Sequence, residues 1–374
     1  MATFYESIIR PAMFGLDAER AHELSIEALR IGLGTGAAQR AAAGLYSGES
    51  CGAVECFGLK LRNPIGVAAG FDKNGIVVNQ LAALGFAFVE VGTVTFRPQK
   101  GNERPRLFRL PDDQALINRL GFNNEGAEVV AARLRGLKRK CVVGVNIGRN
   151  KDVPNEEAVE NYIAALELVH PVADYIAVNI SSPNTPNLRD LQRGENLEEL
   201  LTALVERNRV LGRDAASPAK VENTKPILIK IAPDLDEGSI EQIVDVCMRL
   251  NLSGIIATNT TVSRDGLKTS DVEKLGAGGL SGRPLAARSN RVIASVFRHS
   301  KGKLPIIGVG GVFTAEDAFQ KVAAGASLVQ AYTGFVYGGP SFAMKIDRGL
   351  RSLLDQAGFR SLVEAIGSEP GTVR

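Results

Sequence analysis

Residues 179–192 read NISSPNTPNLRDLQ and follow the apolar run DYIAV. Asn179, Ser181, Ser182, Asn184 and Thr185 bring amides and hydroxyls into one short loop, which Pro183 and Pro186 stiffen. Amides both donate and accept hydrogen bonds, so a fixed set of them recognises a planar ring bearing carbonyls and N–H groups. A serine in such a loop is a weak base until a neighbour or a water chain removes its proton, and no histidine is placed nearby in the sequence.

Comparable sets follow other apolar runs. AAGFDKNG (68–75) supplies Asp72 and Lys73, and GTVTFRPQ (92–99) supplies Thr93 and Thr95. Asn146 ends one run, and Thr258, Asn259, Thr260 and Thr261 end another. GVGG (308–311) and YTG (332–334) offer backbone N–H groups suited to phosphate oxygens. This inventory suits a planar polar ligand. It suits metal-assisted hydrolysis poorly, because the isolated Asp72 does not hold a divalent ion. Lys230 lies inside ILIKI and has three readings: a Schiff-base lysine of an aldolase-type barrel, a cation beside an electron-rich cofactor ring, or half of a buried ion pair.

These residues need a frame that brings the run ends together. Eight Val/Ile-rich runs occur at 64–68, 86–91, 141–147, 174–180, 226–232, 253–259, 305–311 and 327–333. They are apolar on both faces, as parallel strands covered by helices are. Helical patterns fill 76–84, 124–137, 155–168, 195–211, 238–250, 284–299 and 315–323. The alternation predicts an α/β fold, a (β/α)8 TIM barrel, whose sites lie at the C-terminal strand ends. An open doubly wound sheet is the alternative, but no GxGxxG follows the first strand. Residues 97–123 form a long connection in which RLFRL and ALINRL alternate, predicting a small hairpin. FYESIIRPAMF and AERAHELSIEALRIGL predict a helical N-terminal extension, residues 1–45, ahead of a catalytic barrel, residues 46–374. Within the second helix Glu19, Arg20, Glu23, Glu27 and Arg30 share a polar side. The tail SEPGTVR (368–374) has no turn or helix pattern and is expected to fray.

With 374 residues and 45% hydrophobic content the chain can bury a large core. Its net charge of +3 does not ask for nucleic acid. Cys51, Cys56, Cys141 and Cys247 read as reduced structural thiols, and His22, His170 and His299 lie near none of them in sequence, so no metal site is expected. No run is long and apolar enough to span a bilayer, which leaves attachment to a membrane surface by the extension.

The motifs AAGFDKNG, GTVTFRPQKGN, PRLFRL, INRLGFNN, GVNIGRNK, VNISSPNTPNLR, IKIAPD, TNTT, GGLSGRPL, GVGGV and AYTGF together resemble the dihydroorotate dehydrogenase family, in order and across nearly the whole chain. The N-terminal stretch resembles the helical extension of its class 2, membrane-associated members. The resemblance implies oxidation of dihydroorotate to orotate with FMN and a membrane quinone, in pyrimidine synthesis. It also implies a peripheral position on the cytoplasmic side of the cell membrane.

Carried over by position, it implies FMN contacts at Ala69, Gly70, Phe71, Asp72, Lys73, Thr93, Asn146, Asn179, Lys230, Thr258, Gly282, Gly311, Tyr332 and Thr333. Orotate contacts fall on Lys73, Asn118, Arg119, Leu120, Gly121, Phe122, Asn179, Asn184, Asn259 and Thr260. The catalytic base falls on Ser182, with Thr185 and an ordered water expected to complete its relay. A quinone tunnel is implied at His22, Arg106 and Tyr332. Residues NLRDLQ are expected to close over the ring as a lid. A soluble class 1 enzyme using fumarate or NAD would have cysteine as base and no extension. A Schiff-base aldolase rests on Lys230 alone. A non-catalytic barrel scaffold would tolerate loss of Ser182 and Lys73.

Overall fold

The computed structural model describes residues 3–46, 48, 50–214 and 224–368. The last six residues of the tail expected to fray lie outside that set. The strands are β1 (Val54–Cys56), β2 (Leu59–Leu61), β3 (Ile65–Val67), β4 (Phe88–Val94), β5 (Leu107–Leu110), β6 (Ala115–Asn118) and β7 (Val142–Ile147). After them come β8 (Tyr175–Asn179), β9 (Ile227–Ile231), β10 (Gly254–Ala257), β11 (Gly279–Gly282), β12 (Ile306–Val309) and β13 (Leu328–Ala331).

Eight of these, β3, β4, β7, β8, β9, β10, β12 and β13, pair in parallel in chain order, and the pairing of β13 with β3 closes the barrel. Each falls within or across one of the eight apolar runs, and the closure excludes the open doubly wound sheet. The sequence makes this barrel because its strands carry apolar residues on both faces: β8 and β9 are buried at every position. Their outward residues pack under a helical layer that includes Ala127–Arg135, Ala158–Val169, Glu237–Arg249 and Ala286–His299. Interior positions instead carry Glu90, Asn146, Lys230 and Gln330, all buried.

The predicted hairpin is present as β5–β6, antiparallel, and β11 adds a third strand beside β6. That third strand, from GGLSG, is not legible as a strand because two of its four residues are glycine. The sheet stands over the barrel's C-terminal mouth and walls one side of the cleft described below.

The extension is a helical turn Tyr5–Ile9 running into Arg10–Phe14, then a helix Ala18–Gly32 and a further helix Gly36–Leu45. Asp17 caps Ala18–Gly32, its carboxylate accepting from the backbone N–H groups of Glu19 and Arg20 at 3.0 and 2.9 Å. Side chains tie the extension to the barrel: Tyr5 donates to Val336 O (2.6 Å), and Arg109 donates to Phe14 O and Leu16 O (2.7 and 2.8 Å). The polar side expected for Ala18–Gly32 is not wholly solvated. Glu19 is buried at 5% exposure, while Leu24 and Ile31 face outward. No helix of the described residues is long and apolar enough to cross a membrane.

Candidate active site

A cleft opens at the C-terminal mouth of the barrel, where barrel enzymes place their sites. Ser182, Asn118, Asn179, Asn184 and Asn259 line it together with Lys73 and Lys230. The amides hold one another in place. Asn184 Nδ2 donates to Asn118 Oδ1 (3.1 Å), Asn259 Nδ2 donates to Asn179 Oδ1 (3.1 Å) and Ser181 Oγ (3.0 Å), and Asn179 Nδ2 donates to Thr93 Oγ1 (2.9 Å). Such cross-linking fixes which amide edge each residue turns outward. Ser182 Oγ accepts from the backbone N–H of Asn184 at 3.2 Å, and Thr185 Oγ1 is buried with no protein partner.

The segment expected to act as a lid is anchored. Leu188–Gln192 is a short helical turn with Leu188, Leu191 and Gln192 buried. Arg189 reaches back to Ser181 O and Thr260 O (both 3.1 Å) and to Asp234 (3.0 Å), and Gln192 Oε1 accepts from the backbone N–H of Ala232 (3.0 Å). With that many partners, the turn is anchored to its neighbours rather than a free flap.

Ala69, Gly70, Thr93, Thr258, Gly282, Gly311, Tyr332 and Thr333 also line the cleft, as do Leu120, Gly121, Phe122 and Thr260. Gly311 has φ +74°, and a Cβ there would sit 2.6 Å from Ala286 Cα. Only glycine fits that turn, which brings backbone N–H groups to the cleft edge. Gln330 Oε1 is buried without a protein partner, and Gln330 lines the cleft. An acceptor left over in this place, beside a glycine turn and an interior ammonium, fits a heteroaromatic phosphate ester.

Four of the expected contact residues put their side chains elsewhere. Asp72 is buried and accepts from the backbone N–H groups of Ile76 and Val77 (2.8 and 2.7 Å), so its carboxylate organises the turn; burial raises its pKa against those bonds. Phe71 packs edge-on against His22 and Tyr332. Arg119 donates to Leu275 O and Ala277 O and lies over the Phe108 ring. Asn146 lies in the barrel interior, accepting from Thr93 Oγ1 and donating to Glu90 (2.8 Å).

Glu90 is the residue that reading the strand ends missed. It sits mid-strand in β4, fully buried, and its Oε1 accepts from Asn146 Nδ2 and lies 3.4 Å from Lys230 Nζ. Its Oε2 accepts from Gln330 Nε2 (2.8 Å) and the Tyr175 hydroxyl (3.1 Å). Lys230 is therefore half of a buried ion pair and at the same time part of the cleft wall. The signal was present: a single carboxylate in FAFVEV and a single ammonium in ILIKI, both on interior strands.

At the extension side, His22 stacks on Tyr332 at 6.4 Å between ring centroids, and burial with the nearby Lys73 charge pushes it down to about 3, leaving a neutral imidazole. Arg106 does not face the cleft. Its guanidinium is closed by Glu19 (2.7 to 3.1 Å) and by Lys100 O and Asn102 O (2.8 and 2.7 Å), which makes it a clamp between extension and barrel. Lys73 lies between these regions. Burial first lowers it to about 8, with Arg106 adding to the fall and Glu19, Asp72 and Glu23 opposing it. Among the described residues no group of three His, Cys, Asp or Glu side chains could hold a metal ion.

A closed parallel barrel with a glycine turn, an interior ammonium and a ring of interlocked amides around one cleft has the architecture of a barrel enzyme. The dihydroorotate dehydrogenase family profile matches residues 52–354. Curated relatives called dihydroorotate dehydrogenase (quinone) are 49% identical in a Roseiflexus strain (98% of this chain, 99% of the relative). In Mycolicibacterium smegmatis the figures are 47%, 96% and 98%. A crystal structure of the Eimeria tenella dihydroorotate dehydrogenase in complex with ferulenol superimposes with a TM-score of 0.83 at 37% identity, covering 95% of this chain and 98% of that one. Its ligand-free form gives 0.82 at 37% identity, over 94% and 99%. The chain belongs to the dihydroorotate dehydrogenase family, whose members are flavin-dependent oxidoreductases.

Proposed function

We propose that this protein oxidises (S)-dihydroorotate to orotate with FMN and delivers the electrons to a membrane quinone, as a step of de novo pyrimidine synthesis. The observation that carries this reading is the convergence of Ser182, the four amides and Lys73 on the same cleft as the Gly311 turn and Lys230. FMN, when bound, supplies the acceptor for the hydride lost from substrate C6 and the route onward to quinone. Ala69 to Lys73, Thr93, Asn146, Asn179, Lys230, Thr258, Gly282, Gly311, Tyr332 and Thr333 form its proposed cradle, with Phe71, Asp72 and Asn146 acting behind the wall.

Lys73 pairs with the substrate carboxylate, and Asn118, Asn184 and Asn259 meet its ring carbonyls and N–H groups. Gly121, Phe122 and Thr260 complete that wall. Arg119 and Leu120 belong to the same segment, Arg119 bracing it through Leu275 O and Ala277 O. Ser182 takes the proton from C5 and passes it on through the buried Thr185 hydroxyl and water. Cleavage thus sends a proton to the serine side and two electrons with hydrogen to the cofactor side, which balances the oxidation.

The quinone end is proposed at Tyr332 and His22, with Arg106 holding the extension in place rather than binding quinone. Residues 1–45 contain Phe4, Ile8, Ile9, Leu16, Leu24, Ile31 and Leu45, seven of the thirteen large apolar residues most exposed among those described. That concentration supports peripheral contact with lipid on the cytoplasmic face of the membrane. The test is turnover of dihydroorotate against three acceptors. Reduction of a short-chain quinone but neither fumarate nor NAD supports the reading. Activity with fumarate or NAD alone, or a borohydride-trapped adduct on Lys230 in place of turnover, refutes it.

A further inference from the structure

Glu90 has no place in the reactions above, yet four polar side chains converge on it. All four of its neighbours are side chains from different strands: Asn146 from β7, Tyr175 from β8, Lys230 from β9 and Gln330 from β13. Two of them, Lys230 and Gln330, line the cleft, while Glu90 itself does not. Three neutral donors meet one carboxylate, and the ion pair at 3.4 Å is shielded from water, with Glu90 fully buried and Lys230 at 5% exposure. A buried ammonium without a counter-charge is costly to hold in one place.

We propose that Glu90, held by Tyr175, Gln330 and Asn146, is a positioning residue that holds the Lys230 ammonium in place, aimed at the flavin, and thereby sets the flavin's reduction potential. The inference rests on the flavin reading of the cleft. Its physics has a sign. If Glu90 acted only as a negative charge near the ring, removing it would favour the reduced flavin, because reduction adds negative charge. If it acts through Lys230, removing it silences the ammonium and disfavours the reduced flavin, as removal of Lys230 itself would. Gln330 takes part in the same arrangement: donating to Glu90 leaves its Oε1 as an unpartnered buried acceptor on the cleft wall.

The experiment equilibrates purified holoenzyme with a reference dye and reads the ratio of reduced to oxidised FMN for wild type, Glu90→Gln, Lys230→Met, the double variant and Tyr175→Phe. At a fixed ambient potential Glu90→Gln should lower that ratio about tenfold, equivalent to about 30 mV for a two-electron couple. Lys230→Met should move it the same way, and the double variant no further than Lys230→Met. Tyr175→Phe removes one donor and keeps the carboxylate, so it should give a smaller fall in the same direction, and it decides the matter if Glu90→Gln does not fold. A raised or unchanged ratio in Glu90→Gln, additive effects in the double variant, or an unmoved Tyr175→Phe overturns the proposal. A yellow protein with unmoved potentials sinks this inference alone, whereas a wild-type protein that takes up no flavin sinks the underlying reading as well.

Discussion

Replacing Glu19 by methionine removes the negative half of the clamp that fastens the extension to the barrel. Both partners are nearly buried, Glu19 at 5% and Arg106 at 6% exposure, and the carboxylate meets the guanidinium at three N–O distances between 2.7 and 3.1 Å. Breaking a buried pair on one side costs about 3–5 kcal/mol, because the other charge is left without compensation. Lys100 O and Asn102 O still accept from Arg106, which places this case near the lower bound, about 3 kcal/mol. At about 1.4 kcal/mol per factor of ten, the ratio of docked to undocked extension falls roughly 100-fold. The assay separates two half-reactions: flavin reduction by dihydroorotate in anaerobic stopped flow, and steady-state quinone reduction. Quinone turnover should drop while flavin reduction stays within about twofold, and protease should cut the extension sooner. The double variant Glu19→Met/Arg106→Leu replaces the pair with apolar groups and should recover docking and much of the quinone turnover. Full quinone turnover in Glu19→Met, or a double variant as dead as Arg106→Leu alone, would show that Arg106 serves the quinone directly and refute the clamp.

Other expected outcomes concern the cleft and the surface. Ser182→Ala should slow flavin reduction by about 10²- to 10⁴-fold, the usual worth of a positioned base, with Thr185→Ala milder; unchanged rates in both would remove the proposed relay. Because Lys73 must be charged to meet the substrate carboxylate and burial lowers it to about 8, kcat/KM for dihydroorotate should fall about tenfold per pH unit above 8, and a flat profile to pH 9.5 contradicts that role. Gly311→Val places atoms against Ala286 at a φ of +74°, so the variant should purify largely without flavin, as absorbance near 450 nm reports. Phe4→Glu with Ile8→Glu should reduce co-sedimentation with lipid vesicles severalfold; undiminished binding argues against the extension as the lipid contact.

The barrel was legible in the sequence because parallel strands advertise themselves: PILIKIA and DYIAVNI are apolar at almost every position, and β8 and β9 are buried throughout. The polar ring at the strand ends was legible for the same reason, since hydroxyls and amides following such runs have no packing role. What escaped was information carried by pairs. Glu90 looks like an interruption of FAFVEV until Tyr175, Lys230 and Gln330 are seen around it, and those lie 85, 140 and 240 residues away along the chain. Arg106 and Glu19 each carry a motif's charge, but only their separation of 87 residues folded into contact turns a quinone ligand into a clamp. The third strand β11 is hidden by glycines that the tight crossing over the cleft requires. The NLRDLQ turn reads as a loop because two of its anchors, Thr260 O and Asp234, are supplied by other loops.

The central claim is that one cleft holds both a flavin and dihydroorotate. The most direct measurement is the visible absorbance spectrum of the purified protein, recorded without oxygen before and after dihydroorotate is added. A flavin spectrum that bleaches on addition, returns when a quinone is supplied, and fails to bleach rapidly in Ser182→Ala is the predicted result. A protein without flavin absorbance, or a flavin that dihydroorotate leaves oxidised, would contradict it.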